Sequence, residues 1–234
     1  MRRYLQGTLD FACAVYAVIN ALSCLYAIPL NSVREIFQKS MEDFARYPRL
    51  WSQFLGNKTD HYWVIRYMLR RWCAAGPFKL DLRLPFAALA PTDQDLNLGP
   101  VSMYLPENLP PQGEAHTGES AFTPCQEGAA VLDALQEFFA GTHLPAGAAI
   151  LRFHRFLPGV TQPVISHWTT VRTMENQNLC LWDASPEQDS LHVLPHSSLL
   201  PNQGKAMLRI VPESIYFVSL PCPAPSKKTN FTFF

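Results

Sequence analysis

The chain has 234 residues, 48% of them hydrophobic and 16% charged, with 19 Lys and Arg balancing 19 Asp and Glu. That composition excludes a disordered polymer, and zero formal charge removes any whole-molecule argument for nucleic acid as a partner. The charge is uneven along the chain: residues 1–75 carry ten Lys and Arg against five Asp and Glu, leaving nine against fourteen beyond.

Met1-Arg2-Arg3 opens the chain, but no long apolar run with a cleavage site follows, so the expectation is synthesis in a reducing cytoplasm. Export by a route that needs no cleaved signal stays open. From Cys13 to Ala27 the apolar residues are nearly continuous, which predicts a helix buried on most sides. Asn20, Ser23 and Pro29 punctuate this stretch and argue against a membrane span. Asn31 or Ser32 is expected to cap a second helix, with Glu35 closing a capping box. A third helical stretch runs from His61 to Ala75 and stops at Gly76-Pro77. On it Arg66, Arg70 and Arg71 stand at helical spacing, with Arg46 and Arg49 upstream. The first expectation for them is a solvated helix face, and the second a docking surface for an acidic partner.

Seven prolines between Pro85 and Pro124 predict a long irregular connection. Helical period returns over Glu127–Ala140 and ends at Gly141. Beyond Gly147 the pattern turns strand-like: Ala149–Phe156, Val164–Met174 and Leu179–Asp183, the last two joined by a turn at Asn176-Gln177-Asn178. Met207–Val211 and Ser214–Val218 complete an antiparallel sheet. The expected architecture is α+β in a single domain over 1–220, with a helical part at 1–145, a sheet part at 146–220, and a loose tail at 221–234.

The chemistry gathers on a few of these elements. Cys13 begins the first helix, where unpaired N–H groups and the positive end of the helix dipole favour a thiolate. His167 lies on a strand and Asp183 on its hairpin neighbour, close enough for the carboxylate to orient the imidazole. Gln6, upstream of the cysteine, has a side-chain amide that with the Cys13 backbone N–H makes an oxyanion hole. A thiolate, a base and oxyanion donors are what thiol-mediated acyl transfer requires. Cys24, Cys73, Cys125, Cys180 and Cys222 read as packing residues, with no Cys-x-x-Cys and no pairing rhythm. His192-x-x-x-His196 has metal-like spacing, but Pro195 breaks any helix there, and no phosphate-binding glycine loop occurs, so neither metal nor cofactor is expected. His154 reads as an ordinary strand histidine.

On Gln6…Cys13, His167-Trp168-x-x-Val171 and Asp183, the chain resembles the papain-like cysteine peptidases, most closely the compact bacterial branch that includes the bacteriocin leader peptidases. The resemblance spans roughly 4–24 and 148–186 and is silent on 30–145. It implies a papain-like fold, a Cys13–His167–Asp183 triad with Gln6 at the oxyanion hole, and a protein or peptide substrate. Ala14 stands where the family usually has glycine after the nucleophile, Ala184 where a proline often follows the aspartate, and the Gln-to-Cys interval is about one residue longer than is typical. The same apparatus serves a peptidase, a glutamine deamidase or a transglutaminase, and an inactive relative would be a binding module.

Overall fold

The computed structural model describes residues 12–55, 61–74, 76–89, 124–141, 146–157, 163–183, 193–199 and 207–221. Helices α1 (Cys13–Tyr26), α2 (Leu30–Ala45), α3 (Pro48–Leu55) and α4 (Tyr62–Leu69) come first, α4 running on as a π-helical turn, Arg70–Ala74. Strand β1 (Asp81–Arg83) and helix α5 (Pro124–Ala140) follow. The chain then forms β2 (Gly147–Phe156), β3 (Ile165–Glu175), β4 (Asn178–Trp182), β5 (Val193–Pro195), β6 (Met207–Ile210) and β7 (Tyr216–Ser219). The described chain is α+β. Most of the expected irregular connection, and all of the expected tail after Pro221, lie outside the described residues.

Among the described residues seven antiparallel strands make one sheet in the order β1-β7-β2-β3-β4-β5, with β6 also on β2. One face, through Ala148, Ile150, Trp168, Tyr216 and Val218, packs on α1 and α4. The other, through Ala149, Leu151, Phe153, Val171, Leu179 and Phe217, packs on Val131, Leu135 and Phe138 of α5. Burial on both faces is why β2 reads as a continuous apolar run instead of alternating. At the start of β2 a Cβ on Gly147 would sit 2.7 Å from Phe138 Cζ, so only glycine lets α5 approach this closely.

Three expectations need correction. α2 starts at Leu30 behind Pro29, so neither Asn31 nor Ser32 caps it and no capping box forms. A proline fixes the entry dihedral and starts the helix ahead of the polar signal. Arg66 is not solvated: α4 is buried at every residue, and Arg66 with it. Arg46 and Arg71 instead converge on Asp43, at 3.2 and 3.6 Å, so this part of the basic stretch is already engaged within the chain. The first 145 residues are also not wholly helical, because β1 adds Asp81–Arg83 to the sheet edge beside β7. Of the expected packing cysteines, Cys24 and Cys73 are buried and Cys180 is half-buried, all three as free thiols. His154 lies half-buried on β2 with its Nε2 3.0 Å from Arg152 Nη2.

β2 has two successive partners on one edge, β7 along Gly147–Ile150 and β6 along Phe153–Phe156. At the changeover, Ser214 Oγ accepts the Arg152 N–H at 2.8 Å and the Val211 N–H donates to Arg152 O at 2.9 Å. Ser214 is fully buried, so no water replaces its hydroxyl if it is removed. Ser214→Ala is therefore expected to destabilise the protein by about 1–3 kcal/mol, the cost of an unmade buried hydrogen bond. A urea denaturation midpoint equal to that of the parent chain would contradict this.

Candidate active site

α1 enters the structure at Cys13, behind Ala12, whose side chain can accept no hydrogen bond. The first-turn N–H groups therefore point out of the helix end beside the thiol. Two polar ties dock this helix on the strands opposite. Thr170 Oγ1 donates to Ala17 O at 2.6 Å, and Asn20 Nδ2 donates to Trp182 O at 3.3 Å. Both side chains are fully buried. They join α1 to β3 three residues after His167, and to β4 one residue before Asp183.

The β3–β4 hairpin sets the relation between those two residues. Its loop is Asn176-Gln177, both with positive φ (48° and 61°), a primed turn whose twist matches antiparallel strands. The ladder pairs Glu175 with Asn178 and, further in, Thr173 with Cys180. A bulge at Arg172 then shifts it, so that Val171 pairs with Leu181 and Thr170 with Trp182. One step on, Asp183 comes opposite Thr169, on the same side of the sheet as His167 and diagonal to it. His167 Nε2 lies 2.6 Å from Asp183 Oδ1. Asp183 is fully buried and His167 nearly so, so each offsets part of the other's cost of burial. Phe153 packs edge-on against the imidazole with centroids 5.5 Å apart and limits its rotation.

With Nε2 held by Asp183, the other side of the ring faces the thiol. Burial alone would push the Cys13 thiol up. Hydrogen bonds from His167 and His61, the His167 charge and the Trp168 N–H outweigh it and bring the thiol down to about 6. The Trp168 N–H comes from β3, the residue after His167, so one strand supplies both the imidazole and a backbone donor to the sulfur. Burial likewise disfavours the charged form of His167. The Asp183 hydrogen bond, the hydrogen bond and charge of Cys13, and the Asp183 charge together raise it to about 10. The usual order of thiol and imidazole is thereby reversed. Between those two values the pair is a thiolate beside an imidazolium, which is a nucleophile with its proton donor in place. Nothing comparable surrounds Cys24 and Cys73, whose thiols burial pushes up to about 12.

The structure thus brings together Cys13, His167 and Asp183 of the residues expected from sequence. Gln6 lies outside the described residues. His61, which the sequence reading passed over, also reaches the thiol. It is the residue before α4, and its only local signal is a polar Asp60-His61 step before an aromatic helix. His192 and Cys222 lie outside the described residues, as does the structural context of Ala184. Among the described residues no three His, Cys, Asp or Glu side chains are grouped to hold a metal ion, and no helix is long and apolar enough to cross a membrane. Comparison of the chain with protein-family models, with curated proteins and with solved structures gives no match.

The reversed order has a direct readout. Alkylation by iodoacetamide follows the thiolate, so its rate at Cys13 should rise with pH through about 6 and then level. At pH 7 Cys24 and Cys73 stay protonated and unlabelled. His167→Ala removes both a hydrogen bond and a charge that favour the thiolate, so the midpoint moves to higher pH. Peptide mapping of the labelled protein at several pH values tests this, and equal labelling of Cys13 and Cys73 would contradict it.

Proposed function

We propose that this chain is a papain-like thiol hydrolase that cleaves a peptide or isopeptide bond through an acyl-enzyme. The observation carrying the reading is the contiguous chain of hydrogen bonds from the Cys13 thiol through His167 to Asp183, assembled between a helix start and a two-stranded hairpin. A helix that delivers the nucleophile to a sheet carrying the base is also the arrangement that the family resemblance implies.

The steps follow from the groups present. The Cys13 thiolate forms an S–C bond to the substrate carbonyl carbon, and the carbonyl π pair moves to oxygen. That oxygen is met by the Cys13 backbone N–H, left without a helical partner at the first turn; the Gln6 amide is the second donor that the family resemblance implies. As the tetrahedral species collapses, the His167 imidazolium gives its proton to the departing amine and the C–N bond breaks. His167, now neutral, takes a proton from water as it attacks the thioester carbonyl, and the acid product leaves with the thiolate restored. Asp183 holds the ring in one tautomer and orientation through both half-reactions. A protein or peptide substrate is what the family resemblance implies for this chemistry.

The experiment is a mass-spectrometric comparison of proteins from cells expressing the parent chain or Cys13→Ala. New peptide termini present only with the parent support hydrolysis. Deamidated glutamines or glutamine–amine cross-links in their place assign the same apparatus to deamidation or transglutamination. No difference of any kind, together with unchanged partner capture by Cys13→Ala, would make the fold a binding module. With a cleavable substrate in hand, His167→Ala should lower kcat/KM by about 10²–10⁴, the usual contribution of a positioned acid–base.

A further inference from the structure

His61 is placed with unusual care for a residue between two helices. It takes a left-handed backbone conformation (φ 57°, ψ 19°), uncommon for a residue bearing a Cβ although histidine tolerates it better than most. It is 3% exposed, and its Nε2 is buried without a hydrogen-bond partner among the described residues. The ring rests 5.6 Å from that of Phe54, within an aromatic cluster in which Phe44 and Phe54 both meet Trp63 of α4. The imidazole itself reaches the Cys13 thiol, as His167 does. A buried polar ring with an unpartnered nitrogen, held by aromatic packing against a nucleophile, has a cost that packing alone does not explain.

We propose that His61 is a catalytic oxyanion donor, a ring N–H that follows the negative charge from the Cys13 sulfur to the substrate oxygen. The inference rests on the thiol-hydrolase reading above and adds a residue to it. When the S–C bond forms, charge leaves the sulfur and appears on the carbonyl oxygen, two bonds away. A donor within reach of the first atom is close to the second, and it need only swing within its pocket. No proton changes hands in this step. A neutral imidazole carries one N–H, and the tautomer that turns it towards the sulfur makes His61 a donor without any charge on the ring. His167 cannot do the same work, since its own N–H is committed to the leaving group.

Two reactions at one sulfur separate this role from packing. Iodoacetamide alkylation displaces iodide at a saturated carbon and builds no oxyanion. Acylation by p-nitrophenyl acetate attacks a carbonyl, passes through an oxyanion and expels p-nitrophenolate. Both rates are divided by the thiolate fraction from each variant's own alkylation profile. His61→Phe keeps the ring against Phe54 and removes the donor. Its corrected alkylation rate should be unchanged, while its acylation rate falls by about 100-fold, as for loss of one oxyanion-hole donor. His61→Gln, under the same backbone constraint but with an amide donor, should recover part of the loss. Selective labelling of Cys13 over Cys24 and Cys73 shows that each variant has kept its centre. Equal losses in both reactions would make His61 a packing residue, and an unchanged acylation rate would remove it from the mechanism. A parent chain alkylated at Cys13 yet acylated no faster than Cys13→Ala would instead overturn the hydrolase reading, and this proposal with it.

Discussion

Everything at the centre depends on how α1 is seated on the β3–β4 hairpin. The interface between them is mostly apolar, with Val15, Val18, Ile19 and Leu22 fully buried in a core shared with Ile150 and Trp168. Apolar contact supplies affinity but little direction, since such a helix can slide or turn at small cost. The Thr170 and Asn20 hydrogen bonds remove that freedom. Each is a buried donor on a particular carbonyl, and a shift of one residue along the helix breaks both bonds. One pins the helix to the strand of the imidazole, the other to the strand of the carboxylate. Three elements distant in sequence are in this way brought into a single register.

The electrostatics follow from that seating. A buried thiol with no hydrogen-bond donor to stabilise its anion is pushed up by burial and stays protonated near neutral pH, as Cys24 and Cys73 do. The same thiol placed at a helix start, beside an imidazolium backed by a buried carboxylate, is a stable anion near neutral pH. The difference between the cysteines is not exposure, because Cys13, Cys24 and Cys73 are all buried. It is the set of donors around each sulfur, and that set is assembled by tertiary structure.

Much of this was legible in the chain. The apolar run after Cys13, the turn signal at Asn176-Gln177 and the alternation around it placed Cys13, His167 and Asp183 on elements that meet in the structure. Local signals suffice where a residue's partner lies one hairpin away. They fail where the partner is set by packing. His61 follows a segment of the chain that carries no periodic pattern, and only the aromatic packing of α2, α3 and α4 brings it to Cys13. The helical spacing of Arg66 with Arg70 carries no sign that α4 is covered on all sides, because that cover comes from elements distant in sequence. β1 was invisible for a related reason, as three residues with exposed, half-buried, exposed character become a strand only when β7 offers its edge.

The bulge at Arg172 has a consequence for how this hairpin tolerates change. Side chains on a strand alternate between faces, so the number of residues between His167 and Asp183 has a parity as well as a length. With the extra residue, Asp183 comes opposite Thr169 on the side of the imidazole. Without it, the ladder that starts at Glu175 and Asn178 would set Asp183 opposite Thr170, facing α1 instead. The core would survive such a slip in part, but the carboxylate would point into a layer of apolar side chains. Length variation in this hairpin is therefore quantised: related chains can differ there by even steps, or by one residue with a compensating loss of the bulge. A single unbalanced insertion changes which face carries the acid while leaving every residue of the triad in the sequence.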